Sequence, residues 1–247
     1  MTRPWLRRFS RASGCRVQLV CLPYAGGGAS LFARWSERLP EEVEVVAVQL
    51  PGREDRIAEH PFLYRPALVE RLAEETFPVL NRIPVFFGYS MGALLAYELA
   101  CVAADTPAAP RALLLGARAA PHLDDGPRIA HLDDERFLAH IREYNGTPPE
   151  ILAHEEILSL VLPALRADFA LCESAPPPVG TTLSCPVSTY AGANDRYASP
   201  SAVDAWRNVT TGSFRCTVFP GDHFFIHSNL EGVLAQIRLD LALATAP

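Results

Sequence analysis

What most constrains this chain is an alternation of short apolar, β-branched runs with amphipathic stretches of helical period. Val17–Pro23, Val43–Leu50, Pro84–Gly88, Arg111–Leu115, Val187–Tyr190 and Phe214–Phe219 read as strands. Between and after them Ser30–Leu39, Pro66–Leu80, Met91–Ala104, Ser201–Asn208 and Glu231–Ala244 read as helices. Strands interleaved with helices of roughly 10–15 residues predict a mostly parallel sheet with helices on both faces, an α/β fold. Ligands of such sheets sit beyond the carboxyl ends of the strands.

One stretch breaks the alternation. Residues 121–178 contain no strand-like run, are helical in pattern over Glu135–Tyr144 and Glu150–Ser174, and close with three consecutive prolines. They read as a helical insertion over the sheet's carboxyl edge, a mobile lid whose apolar face includes Phe137, Leu138 and Phe169 and lines the acyl chamber, with a rigid cap that merely covers the sheet as the alternative. The expected organisation is therefore a basic N-terminal arm (1–16), a core (17–120 and 179–247) and the lid (121–178).

Composition narrows the function. The 247 residues carry a net charge of −6, which argues against a dedicated nucleic-acid binder. No apolar run reaches the roughly 20 residues of a membrane span. Arg3, Arg7, Arg8 and Arg11 are followed by no apolar stretch of a secretory signal, so a cytoplasmic protein is expected. Every basic residue is an arginine. The absence of lysine removes Walker-type phosphate loops, Schiff bases and Ser-Lys dyads. The six cysteines show neither a CxxC pair nor metal-ligand spacing and read as reduced, packed thiols.

The strongest chemical signal is Gly88-Tyr89-Ser90-Met91-Gly92, preceded by an apolar strand and followed at once by a helix. That is the setting of a nucleophile elbow, where a tight turn exposes the serine oxygen at a helix N-terminus. A serine hydroxyl needs a base, and the base needs an orienting carboxylate. His223 hangs in the loop after the last strand, whereas His227 lies one helical turn further on and reads as a surface or packing residue. For the acid, the strand at Arg111–Leu115 offers no carboxylate until Asp124. The strand at Val187–Tyr190 runs into Ala191-Gly192-Ala193-Asn194-Asp195. Asp195 is the choice, with Asp222 a weak rival because adjacent residues rarely align for a side-chain hydrogen bond. An oxyanion needs two donors. The Met91 N–H is one; the other comes from the turn Tyr24-Ala25-Gly26-Gly27-Gly28, assigned to Ala25 with Tyr24 as the neighbouring possibility.

With these pieces in place the chain resembles the α/β-hydrolase superfamily. Within it, the chain is similar to the stand-alone type II thioesterases of polyketide and non-ribosomal peptide synthesis. The resemblance rests on Leu22-Pro23-Tyr24-Ala25-Gly26-Gly27, Val48-Gln49-Leu50-Pro51-Gly52-Arg53, Phe87-Gly88-Tyr89-Ser90-Met91-Gly92-Ala93, Gly192-Ala193-Asn194-Asp195 and Phe219-Pro220-Gly221-Asp222-His223-Phe224-Phe225, in that order. The family often has His where this chain has Tyr24 and Tyr89. The resemblance implies a hydrolase that removes acyl groups from the phosphopantetheine thiol of acyl- or peptidyl-carrier proteins, with no metal or redox cofactor. Rival readings are a carboxylesterase or lipase-like hydrolase and a catalytically silent ligand-binding protein. Carrier proteins are typically acidic, while the lid itself carries −7. Arg53, Arg118 and Arg196 each follow a strand end and are the candidate docking residues, with Arg56 as a helper; local ion pairs with Glu54, Asp55 and Asp195 are the alternative.

Overall fold

A computed structural model describes residues 4–9, 14–123, 128–144, 146, 152–174 and 182–245. Among the described residues seven strands form one sheet: β1 (Leu6–Phe9), β2 (Val17–Leu22), β3 (Val43–Val48), β4 (Ile83–Tyr89), β5 (Ala112–Gly116), β6 (Val187–Gly192) and β7 (Phe214–Phe219). Their spatial order is β1-β3-β2-β4-β5-β6-β7, and every pair is parallel except β1–β3. The strands β2, β3 and β5 are buried at every position, as a sheet covered on both faces requires. This is the α/β-hydrolase fold.

The helices are α1 (Arg65–Thr76), α2 (Met91–Ala103), α3 (Asp134–Tyr144), α4 (Glu155–Glu173), α5 (Pro200–Asp204), α6 (Phe225–Ser228) and α7 (Leu230–Ala244). One large apolar cluster joins α1 and α2 to one face of the sheet through Leu68, Leu72, Leu95, Leu99 and Phe86. The other face is covered by α7 and the segment 29–39, through Ile237, Leu241, Phe32, Trp35 and Phe87. Among the described residues no helix is long and apolar enough to cross a membrane.

Three expectations need correction. The basic N-terminal stretch is no free arm: Leu6–Phe9 pairs antiparallel with β3, Leu6 opposite Val48, and adds an edge strand. Ser30–Leu39 forms two short 3₁₀ turns, Ala29–Phe32 and Trp35–Glu37, instead of one helix. The late helix read at Ser201–Asn208 is α5 followed by a 3₁₀ turn, Ala205–Val209. Asp124 and the triple proline lie outside the described residues.

The sheet order reverses between β2 and β4, because the chain moves outward to β3 before crossing back. That switch point opens a crevice at the carboxyl edge. The register brings Leu22 beside Gly88, Tyr89 beside Gly116 and Gly192 beside Phe219. The loops after β2, β4, β5, β6 and β7 therefore converge.

The close approach of α2 to β2 depends on Gly92. A Cβ there would lie 2.1 Å from the Leu22 carbonyl oxygen and 2.7 Å from that of Pro23. At Gly88 it would lie 2.0 Å from the Gly92 carbonyl oxygen. Both obstacles are backbone and cannot swing aside. Gly92→Ala should lose at least about 2–3 kcal/mol of stability in chemical denaturation, the upper range for an overpacked interior. Gly14→Ala, where a Cβ meets nothing within 4 Å, should change it by no more than about 0.5 kcal/mol.

Candidate active site

The elbow has the strain its sequence implies. Ser90 has φ 54° and ψ −115°, a conformation that side chains rarely adopt, and its N–H donates to Gly116 O at 2.8 Å. It precedes α2 without capping it, so its hydroxyl is left for other use. Ser90 Oγ lies 3.0 Å from His223 Nε2, and His223 Nδ1 lies 2.8 Å from Asp195 Oδ2. The second Asp195 oxygen accepts the N–H groups of Tyr197 (2.8 Å) and Ala198 (3.0 Å). A carboxylate held this way accepts from Nδ1–H and leaves Nε2 as the acceptor for the serine proton. Asp195 and His223 are both buried. The arrangement can activate a serine oxygen as a nucleophile.

Asp222 is no rival for this position. It is exposed and caps the Phe224 N–H at 2.9 Å.

Tyr89, inside the elbow, holds His223 from behind. Its hydroxyl donates to the His223 carbonyl at 2.7 Å and accepts from Ile226 N–H at 3.4 Å. Burial pushes this phenol well above its ordinary range, so it remains a donor. Tyr24 pairs its hydroxyl with His227 Nε2 at 3.0 Å and sets its ring edge-on to Phe224. His227 is thus the partner of Tyr24, a role that its place in the sequence does not reveal. Tyr24 and Ala25 lie with Ser90 on the wall of one cavity of about 380 Å³. Met91 is the first residue of α2, so its N–H has no acceptor within the helix. The cavity also takes in Leu94, Ile141, Leu165, Phe169 and Cys172. Of the three apolar lid residues expected here, Phe169 is on the wall. Phe137 and Leu138 are buried, and Phe137 packs behind Phe169 at 5.6 Å.

The docking expectation for Arg53 is overturned. Arg53 is buried and forms a two-pronged ion pair with Asp168 of α4, with Nη2 2.9 Å from Oδ1. Its Nε and Nη2 also donate to Pro51 O, both at 3.2 Å. Arg56 is buried too, donating to Gln49 O at 2.8 Å and pairing with Glu59. The sequence placed both beside acids of their own loop, but burial selected other partners. Arg118 lies half-buried on the cavity wall, with Nη2 3.4 Å from Cys172 O; only Arg196 is exposed.

Asp168 was not singled out in the sequence, where it looks like one more acid of an acidic lid. In the fold it accepts the Gly26 N–H at 2.7 Å as well as Arg53. Gly26 has φ +79°, and a Cβ there would lie 2.9 Å from Leu165 Cδ1 of α4. A lone acid between Ala167 and Phe169 in an otherwise apolar helix face was the available signal. The same half of α4 is held by Arg65, which donates to Leu171 O at 2.7 Å and pairs with Glu98.

The fold and the hydroxyl–imidazole–carboxylate arrangement define a serine-hydrolase-type site, and comparison with known proteins narrows the class. The Thioesterase domain family model matches residues 17–241, and the chain belongs to that family. Gramicidin S biosynthesis protein GrsT of Aneurinibacillus migulanus is 39% identical over 244 residues, covering 96% of this chain and 95% of GrsT. Thioesterase PikA5 of Streptomyces venezuelae is 40% identical over 235 residues, covering 94% and 84%. Among solved structures, YbtT, a type II thioesterase from the yersiniabactin pathway, aligns with TM-score 0.88 at 30% identity, covering 98% of this chain and all of that one.

Removing the Asp168 carboxylate leaves a buried guanidinium uncompensated. Asp168→Ala should therefore lower stability by roughly 3–5 kcal/mol in denaturant titrations. The double variant Arg53→Met, Asp168→Leu should recover much of that loss. It should not restore the rate of ester hydrolysis, because the Gly26 turn is still unanchored.

Proposed function

We propose that the protein hydrolyses acyl thioesters carried on the phosphopantetheine arm of acyl- or peptidyl-carrier proteins, clearing or releasing acyl groups in polyketide or non-ribosomal peptide assembly. The observation that carries this reading is the Ser90–His223–Asp195 relay opening into a chamber roofed by α3 and α4, in a chain of the thioesterase family. Ser90 Oγ attacks the thioester carbonyl while His223 Nε2 takes its proton. The N–H groups of Met91 and Ala25 hold the oxyanion. The thiol leaves with a proton from His223, giving an acyl-Ser90 ester. Water, deprotonated by the same nitrogen, then releases the acid.

Mass spectrometry of acyl-carrier proteins before and after incubation tests the reaction. Loss of the acyl mass is expected, and carriers returned unchanged while matched oxygen esters are cleaved would make the protein a carboxylesterase. Ser90→Ala and His223→Ala should each lower kcat by roughly 10⁴–10⁶-fold, and the double variant should be little worse, since the residues act as a unit. Asp195→Asn should lower it on the order of 10³–10⁴-fold by leaving the imidazole in the wrong tautomer. Near-additive losses for Ser90 and His223 would refute the relay.

Arg196, exposed beside Asp195, is the docking residue the geometry leaves open to an acidic carrier. Raising salt should lower kcat/KM for the carrier substrate and hardly touch a small neutral thioester. Arg196→Glu should reproduce that difference, by about threefold or more. Equal responses from the two substrates would remove Arg196 from the docking surface.

A further inference from the structure

The lid reaches the base through one pair of aromatic rings. Tyr144 is the last residue of α3, and Tyr197 follows Asp195 by two positions. Their ring centroids are 3.6 Å apart with planes 9° from parallel. Each ring stands nearly perpendicular to the His223 imidazole, at 5.8 Å and 82° for Tyr144 and 5.7 Å and 83° for Tyr197. Phe224 adds a third perpendicular ring at 5.2 Å. The Tyr197 backbone meanwhile holds the acid, since its N–H is the one at 2.8 Å from Asp195 Oδ1. On its other side Tyr144 meets Phe169 of α4 at 5.4 Å. A continuous line of rings therefore runs from the lid helix α4 through Tyr144 and Tyr197 to His223.

We propose that Tyr144 and Tyr197 are positioning residues for the base, a clasp through which the lid fixes the orientation of His223; this rests on His223 being the general base described above. The imidazole must keep Nδ1 on Asp195 while Nε2 exchanges a proton first with Ser90 and then with the leaving thiol. Two hydrogen bonds define its plane only along the relay axis. The perpendicular rings limit rotation about that axis and keep bulk water from the ring's flank. Edge-to-face aromatic pairs attract beyond the area they bury, which biases such a rotation. A small misplacement of a reacting group can cost orders of magnitude in rate. Both tyrosines are only half-buried, so their packing serves the site more than the core.

The test is the rate at which a fluorophosphonate labels Ser90, together with kcat and KM on a small thioester. Labelling needs a correctly posed base but neither a carrier nor a particular acyl group. Tyr144→Leu and Tyr197→Leu should each slow labelling and lower kcat about tenfold, with KM changed by less than about threefold. Tyr144→Phe and Tyr197→Phe, which keep the rings, should stay within about twofold of the parent. The double Leu variant should be little worse than either single one, because losing either ring already breaks the stack. Wild-type labelling rates in the Leu variants, additive losses in the double variant, or Phe variants as slow as Leu variants would each overturn the clasp. A parent enzyme that takes no probe at all would overturn the triad reading and the clasp with it. Should Tyr197→Leu not fold, Tyr144→Leu decides the question, because Tyr144 sits half-exposed at a helix end.

Discussion

The carboxylate of Asp168 joins three parts of the molecule that the chain keeps far apart. It takes Arg53 from the turn after β3, the Gly26 N–H from the turn after β2, and itself belongs to the lid helix α4. Taking a guanidinium and a carboxylate out of water is costly, and the pair is tolerated only when every donor and acceptor is occupied. Here they are well supplied, because Arg53 also donates to Pro51 O and Gly27 O. The consequence is geometric more than energetic. The turn that bears Ala25 is fixed relative to α4, and the proposed oxyanion donor is held by a residue that does not line the cavity.

A second set of bonds fixes His223 against Ser90. Tyr89 precedes Ser90 in the chain, yet its hydroxyl binds the backbone of His223. The strained elbow that exposes Ser90 thus also grips the loop after β7. At the other end of that loop, the Asn194 N–H donates to Gly221 O at 2.9 Å, tying the acid loop to the base loop. Three loops from separate strands are therefore cross-linked before any substrate arrives, as pre-organisation of charge-stabilising groups requires.

The sheet, the elbow and the order of serine, acid and histidine were legible in the sequence, because each rests on a local pattern. The β-branched run at Val43–Val48 and the apolar run at Ala112–Gly116 read as strands and are buried at every position, and Gly88 and Gly92 admit the close packing of α2. Local patterning failed where tertiary context decides. Leu6–Phe9 carries two adjacent arginines and reads as a charged tail, yet Arg8 finds Glu44 on β3, and Arg7 pairs with Asp55. Ser30–Leu39 has helical spacing, yet the segment forms two short 3₁₀ turns, the first opening at Ala29, whose N–H donates to Gln49 Oε1 at 2.8 Å. Arg53 escapes local patterning in the same way: its neighbours Glu54 and Asp55 suggest local pairing, and nothing in the sequence marks its partner Asp168 on α4, whereas Arg56 does pair locally, with Glu59. The thiols fall between these cases. None of the six cysteines is in a disulfide, and burial pushes Cys101 and Cys185 up to about 11, as small packed hydrophobes.

The same contacts bear on how an acyl chain enters. A lid that opened by lifting all of α4 would expose Arg53 and Asp168 together and break the Arg65 bonds to Leu171 and Ser174. It would also release the Gly26 turn, so the open state would lose a proposed oxyanion donor along with its roof. The α3 side is held differently. Arg166 donates to the carbonyls of Ala130 and Leu132, and Glu173 accepts their neighbouring N–H groups, which ties the approach to α3 onto α4 itself. Beyond that attachment α3 meets His223 through the stacked rings of Tyr144 and Tyr197. Parting of the ring stack alone would leave the anchored half of α4, and with it the Ala25 turn, in place. The contacts divide by chemistry: buried charge ties α4 to the Gly26 turn, and aromatic surface ties α3 to His223.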